Sequence, residues 1–241
     1  MARYAPMATK KPGPSPVARS MSATSLLREV APEAVARLAA SGSIRHYRRG
    51  TYLCHQDEAA PEVFFLVEGR IEVTSIATTG TRVYHATVDS PQFVGELGPL
   101  GDMPRTASLV AITDSDVWTV ASEDFIAFLM AESTAARAVI RALARQSQEQ
   151  QAFVDDLLFL DLKGRVAKRL LQMATPDLDL LPADGTVVPE VTQADLASLC
   201  GGSRENVTRI LKEFERRDLV HRDGHRYVLK KVGSLAKIAD L

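Results

Sequence analysis

The chain has 241 residues, 46% hydrophobic and 24% charged, a mixture that buries a core and makes one or two domains. Its two cysteines, Cys54 and Cys200, lie far apart without paired spacing, which excludes a disulfide framework and a Cys-based iron–sulfur or zinc site. The net charge of −1 conceals an uneven distribution, because Ser203 to Lys231 carries nine Lys/Arg against five Asp/Glu and leaves the remainder acidic. A basic segment on an acidic body fits contact with nucleic acid. No apolar run approaches a membrane span and the N-terminus lacks the apolar core of a signal peptide, so a cytoplasmic location without membrane contact is expected.

Residues 1–22 are rich in Pro, Ala, Ser and Lys, have no hydrophobic period, and predict a disordered tail. Leu26, Leu27, Val30, Val35 and Leu38 have helical spacing, which predicts a short helix over 25–40. From Ile44 to Trp118 short apolar runs alternate with turn residues, the pattern of an antiparallel sandwich or barrel. Within it FFLVEGRIEV predicts a hairpin turning at Glu68–Gly69. Helix returns at Glu123, and 135–160 has neither Gly nor Pro. Ala136, Val139, Leu143, Gln146, Gln150, Phe153, Leu157 and Leu160 form a heptad seam that predicts a dimer contact. Another helix follows over 162–174, with Asp161 as its cap and the hinge between domains at Leu160–Asp161.

Thr192 to Glu215 reads helix, short glycine turn, helix. Thr192 caps the first helix, Cys200–Gly201–Gly202 makes the turn, and Ser203 caps the second. Val207, Ile210, Leu211 and Phe214 of the second helix face a core, while Arg204, Glu205, Thr208 and Arg209 share the opposite face. Arginine pairs with guanine O6 and N7, and glutamate accepts from cytosine N4, so Arg204, Glu205 and Arg209 suit direct reading of the major groove. Thr192, at a helix N-terminus, suits a phosphate, and Ser203 and Thr208 complete the expected DNA-binding set. Asp218 to Leu229 predicts a two-stranded wing turning at Asp223–Gly224. A solvated charged face shows part of this pattern; the agreement of caps, turn, core spacing and wing favours double-stranded DNA as partner.

Phe93 to Ala107 reads FVGELGPLGDMPRTA. The glycines allow backbone N–H groups to approach an anion, and Arg105 and Thr106 offer a planar fork and a hydroxyl to phosphate. Glu96 suits ribose hydroxyls, since a carboxylate beside a phosphate is otherwise repelled. Removing Arg105 is expected to abolish the response to ligand without harming the fold.

GELGPLGDMPRTA resembles the phosphate cassette of cyclic-nucleotide-binding domains, and SRENVTR resembles the recognition helix of the CRP/FNR family of bacterial regulators. GTYLCHQ, FFLVEGRIEV and FLDLKGRVAKRLLQMA are similar to that family's barrel strands, hinge and following helix. The resemblance implies an α+β protein: a jelly-roll-like, double-stranded β-helix barrel over 23–134, a dimerisation helix over 135–160, and a winged helix-turn-helix over 161–241. It implies a homodimer without enzymatic or metal chemistry, with RNA polymerase as a further partner. Gly95, Glu96, Leu97, Arg105 and Thr106 would hold the ribose and cyclic phosphate. Arg204, Glu205 and Arg209 match the three base-reading positions of the cyclic-AMP-responsive branch, which implies a palindrome with TGTGA-like half-sites.

Three features depart from the family pattern. Gln150 and Gln151 replace the Thr–Ser pair that contacts adenine, which leaves cyclic AMP as the expected effector with cyclic GMP or a cyclic dinucleotide open. They also leave open a ligand-independent DNA-binding dimer. Asp57 stands where glycine is usual after His55–Gln56, and Pro91–Gln92 replaces the Gly–Asp pair before the cassette. The iron–sulfur branch needs several cysteines near the N-terminus, and none precedes Cys54.

Overall fold

The computed structural model describes residues 15–175, 180–224 and 226–241. They form two compact units, one of residues up to Val73 with Thr87–Ala142, the other of Thr74–Ala86 with Leu143–Leu241.

The first unit opens with helices α1 (Pro16–Ser22) and α2 (Pro32–Ser41). Helix α1 corrects the expected tail: residues 1–14 lie outside the described residues, but from Pro16 the chain is helical and buries Val17, Ala18 and Met21. Its N-cap Ser15 accepts from the Ala18 N–H at 3.1 Å, and Pro16 occupies the first turn, where its missing N–H costs nothing. The helix expected over 25–40 begins only at Pro32, whose ring presets the helical φ. Leu27 and Val30, which share its apolar spacing, are buried from the turn that precedes it.

Eight strands follow: β1 (Ser43–Tyr47), β2 (Tyr52–Cys54), β3 (Glu62–Glu68), β4 (Arg70–Ile76), β5 (Arg82–Asp89), β6 (Gln92–Val94), β7 (Ser108–Ala111) and β8 (Ser115–Ala121). They make two four-stranded sheets of order β1-β8-β3-β6 and β2-β7-β4-β5. This is the antiparallel, jelly-roll-like arrangement expected.

The hairpin expected at Glu68–Gly69 does not form. β3 is antiparallel to β8 on one edge and to β6 on the other, so neither edge is open to β4, and the chain crosses to the opposite sheet at Gly69. The run at the start of β3 explains why: Val63, Phe64, Phe65 and Leu66 are all buried, Phe64 and Leu66 in the barrel core with Ile71, Val94, Leu109 and Val117. Phe65 turns the other way, 4.7 Å from Phe93, whose ring is 5.7 Å from Phe125 of α4 (Ser122–Ala131). A strand buried on both faces belongs in a sheet interior, not in an isolated hairpin.

Short helix α3 (Leu97–Gly101) lies between β6 and β7. Helix α5 runs from Ser133 to Phe159. In the second unit α6 (Leu162–Ala174), α7 (Gln193–Leu199), α8 (Arg204–Arg216) and α9 (Val232–Ile238) surround one core that includes Val166, Leu170, Leu196, Val207, Leu211, Phe214 and Leu235. Among the described residues the wing has three strands, not the expected two: β9 (Val187–Val188) pairs with β11 (Arg226–Leu229), which pairs with β10 (Val220–Asp223). A two-residue strand is too short to announce itself by alternation, although Val188 is fully buried.

Candidate ligand cassette and nucleic-acid interface

The cassette is built at the exit of β6. Gly95 has φ +77, and a Cβ there would stand 2.8 Å from Arg105 Nη1 and 3.0 Å from the Phe64 ring. Glycine is therefore required both by conformation and by the approach of the arginine. Glu96 is the N-cap of α3 and Leu97 its first residue, where helix geometry leaves the leading N–H groups without intrahelical partners.

Arg105 is only 4% exposed. Its Nη1 donates to the Gly95 carbonyl and its Nη2 to the Glu62 carbonyl, both at 2.6 Å, and its guanidinium lies 4.7 Å over the Phe64 ring. Its Nε–H is buried without a partner among the described residues. A buried cation whose side-chain acceptors are neutral carbonyls has charge left to offer an anion. The Arg105 main chain is also tied down, donating to Glu58 O and accepting from Asp57 N, each at 2.8 Å.

Burial pushes the Glu96 carboxyl above the ordinary carboxylate range, opposed in part by its own backbone hydrogen bond and by the charge of Arg105. Thr106 is exposed beside Arg105. Gly95, Glu96, Leu97, Arg105 and Thr106 thus belong to one loop system. Asp57 adopts φ +66, the left-handed conformation that glycine would supply, and aspartate is among the residues that tolerate it.

Gln150 and Gln151 are exposed on α5, in the second unit. The seam expected on this helix is partly covered by the chain itself. Val139 is buried in the first unit, while Phe153 and Leu157 lie within reach of Gly201 of the same chain. The more exposed heptad row is Ile140, Ala144, Ser147, Gln151, Val154 and Leu158. Heptad spacing alone does not say which row the parent chain itself covers.

The helix-turn-helix follows from its caps. Thr192 Oγ1 accepts from the Asp195 N–H at 3.1 Å and Ser203 Oγ accepts from the Asn206 N–H at 3.3 Å. Gly201, at φ +61, makes the turn; a Cβ there would meet Leu157 Cδ2 at 2.9 Å. Arg204, Glu205, Thr208 and Arg209 share one face of α8 with Lys212 and Arg216. Arg209 donates to Asn206 Oδ1 at 3.1 Å, a bond between neighbours on the same helix.

Several residues of this unit escape the sequence reading. Arg165 donates through Nε to Cys200 O and through Nη1 to Leu160 O, both at 2.8 Å, and through Nη2 to Gly201 O at 3.4 Å. It fastens the end of α5 to the turn of the helix-turn-helix; Leu160 and Asp161, where the sequence places the hinge between domains, lie within one compact unit, whose main segment begins in α5 at Leu143. Asp156 of α5 and Lys168 of α6 form an ion pair at 2.6 Å. Gln193, at the start of α7, lies 2.8 Å from the Thr208 hydroxyl. None of these contacts has a local signature, since each joins residues from different elements.

Comparison with known proteins agrees with this architecture. Residues 44–132 match the cyclic nucleotide-binding domain and 164–238 the Crp-like helix-turn-helix domain. The chain is 25% identical over 214 residues to a CRP-like cAMP-activated global transcriptional regulator of Mycobacterium tuberculosis, covering 89% of this chain and 96% of that protein. It is 28% identical over 187 residues to the cAMP-activated global transcriptional regulator CRP of Salmonella typhimurium, covering 77% and 89%. Among solved structures, the c-di-GMP responsive global regulator CLP of Xanthomonas campestris shares the fold at 21% identity with a TM-score of 0.69, over 83% of this chain and 99% of that one.

The two domains and their order define a transcription regulator with a cyclic-nucleotide-binding domain and a DNA-binding helix-turn-helix. The chain belongs to the CRP/FNR family. No helix among the described residues is long and apolar enough to cross a membrane.

Proposed function

We propose that this regulator is a homodimer whose affinity for a palindrome with TGTGA-like half-sites is controlled by cyclic AMP bound in each barrel. The observation that carries the reading is Arg105, a buried guanidinium that bonds only neutral carbonyls through its side chain and keeps an unpartnered Nε–H among the described residues. A cyclic phosphate supplies the missing negative charge. Glu96 accepts from ribose hydroxyls, while Leu97 and Thr106 donate from the rim of the cassette. Gln150 and Gln151 can each donate and accept, as an adenine edge requires.

The exposed row Ile140, Val154 and Leu158 supports self-association along α5. Arg204, Glu205 and Arg209 read base edges, Thr208 lies between them, and Thr192 and Ser203 approach phosphates. The regulator acts in the cytoplasm, does no catalysis of its own, and meets RNA polymerase at its sites. The names of the mycobacterial and enterobacterial relatives favour cyclic AMP. Gln150 and Gln151, with a c-di-GMP-responsive regulator of the same fold, favour a second reading in which the effector is cyclic GMP or a cyclic dinucleotide.

Calorimetric titration with cyclic AMP, cyclic GMP and cyclic di-GMP in parallel tests the assignment. One cyclic-AMP site per chain, tighter than for the other two, is expected. A preference for another nucleotide keeps the phosphate site and moves the base specificity. Binding of none refutes the effector reading and leaves a ligand-independent DNA-binding dimer.

A further inference from the structure

Thr208 stands at the centre of the reading face, with Arg204 and Glu205 on the turn before it and Arg209 beside it. Its Oγ1 lies 2.7 Å from the Arg204 carbonyl and 2.8 Å from Gln193 Oε1, while Gln193 Nε2 is 3.5 Å from the Tyr227 hydroxyl, so as placed the one hydroxyl faces two acceptors. Tyr227 is 1% exposed, so its hydroxyl needs a partner within the protein.

A threonine hydroxyl has one proton and donates to one acceptor only. A glutamine amide presents either its oxygen or its NH2 after a half-turn. With the NH2 toward Thr208, each group has a partner of the right sense. Tyr227 O–H donates to the Gln193 oxygen, Gln193 N–H donates to Thr208 Oγ1, and Thr208 O–H donates to the Arg204 carbonyl. Back-bonding to the carbonyl four residues earlier is a familiar helical rotamer for threonine. The hydroxyl's single proton and one of its two lone pairs are then used inside the protein, so it has no proton to donate to a base. The methyl group of this partly exposed residue is left free to meet DNA.

We infer that Gln193 is a positioning residue that sets base specificity: it locks Thr208 so that the methyl group, not the hydroxyl, meets the C5 methyl of a thymine. An apolar contact with that methyl is one of the few ways a protein distinguishes thymine in the major groove. Gln193 touches the base only through Thr208. The inference rests on the proposed reading of DNA by α8.

The test begins with selection of duplexes from a random pool by the full-length protein, without nucleotide and with cyclic AMP, cyclic GMP or cyclic di-GMP in parallel. Absence of any enriched site would overturn the underlying DNA-reading assignment itself. On the enriched site, each thymine of both half-sites is replaced symmetrically by uracil, which removes one methyl group, and affinity is read by fluorescence anisotropy. At one thymine position uracil is expected to weaken wild-type binding about fourfold per half-site, the value of one buried methyl group. Thr208→Ser should lose this discrimination, and Thr208→Val should keep it. Gln193→Ala should bring the thymine-to-uracil ratio close to one while leaving affinity for random DNA and its salt dependence in place, which shows that the domain is folded. In the Thr208→Val background, Gln193→Ala should have no further effect on the ratio. Wild-type indifference to uracil at every position overturns the inference. So does full discrimination by Gln193→Ala or by Thr208→Ser.

Discussion

Replacing Arg105 by alanine is expected to cost stability as well as ligand response, contrary to what the sequence implies. The side chain's two charge-assisted bonds hold the Gly95 and Glu62 carbonyls, and its guanidinium covers the Phe64 ring. Leaving each carbonyl unsatisfied costs about 1.5–3 kcal/mol, and the lost ring contact about 1 kcal/mol. Removing the unpartnered Nε–H returns about 1–3 kcal/mol, and relief of the buried charge returns part of the rest. The net is a destabilisation of about 2 kcal/mol, or about 4–8 °C in Tm for a chain of this size. Thermal unfolding with and without cyclic AMP measures both effects. Nucleotide at a hundred times its Kd should stabilise the wild type by about 2.7 kcal/mol and Arg105→Ala not at all. An unchanged Tm together with a wild-type nucleotide shift would mean that Arg105 neither supports the cassette nor binds the phosphate.

Glu96→Gln removes a carboxyl whose charged form is disfavoured by burial. A raised carboxyl pKa means that stability falls as pH rises from the unfolded value through the folded one. Glu96→Gln should therefore be more stable than wild type at neutral pH but not in acid, while losing roughly 1.5–3 kcal/mol of nucleotide affinity in calorimetry. Gly201→Ala places a Cβ at φ +61 and against Leu157, and should lower stability by about 1–2 kcal/mol in urea unfolding. Cys200 has its thiol pushed up to about 12 by burial, and burial raises Cys54 as well. Neither should react with a thiol reagent at neutral pH until the protein is denatured, when both should. Arg204→Ala should cost roughly 1–3 kcal/mol on the selected site and relax discrimination at one base pair; an equal loss on all sequences would make it a phosphate contact.

Much of the fold is legible in local pattern. The caps Asp161, Thr192 and Ser203 act within three residues of themselves, and each is where the spacing places it. The inward face of α8 is marked by Val207, Ile210, Leu211 and Phe214, a strong enough period to survive any context. What escapes is decided by partners distant in sequence. The run FFLVEGRIEV reads the same whether β4 pairs with β3 or with strands of the opposite sheet, and only β6 and β8, by taking both edges of β3, decide it. Phe153 and Leu157 fit a dimer seam by spacing and remain exposed, but spacing does not reveal that they lie near Gly201 of their own chain. Helix α1 is hidden in a Pro- and Ser-rich composition because its stability comes from packing against α2, not from propensity. In the cassette, residue types announce phosphate chemistry, but the burial of Arg105 between two carbonyls depends on Glu62, far away in the chain.

Nucleotide in the barrel is proposed to control DNA binding by the helix-turn-helix. Affinity of the full-length protein for a symmetric TGTGA-containing duplex, measured by anisotropy with and without saturating cyclic AMP, tests it directly. Tightening by roughly 5- to 150-fold, the usual range of coupling between two sites, is expected, with no such change for Arg105→Ala. Equal affinity with and without cyclic AMP, in a protein shown to bind it, would mean that nucleotide does not control DNA binding.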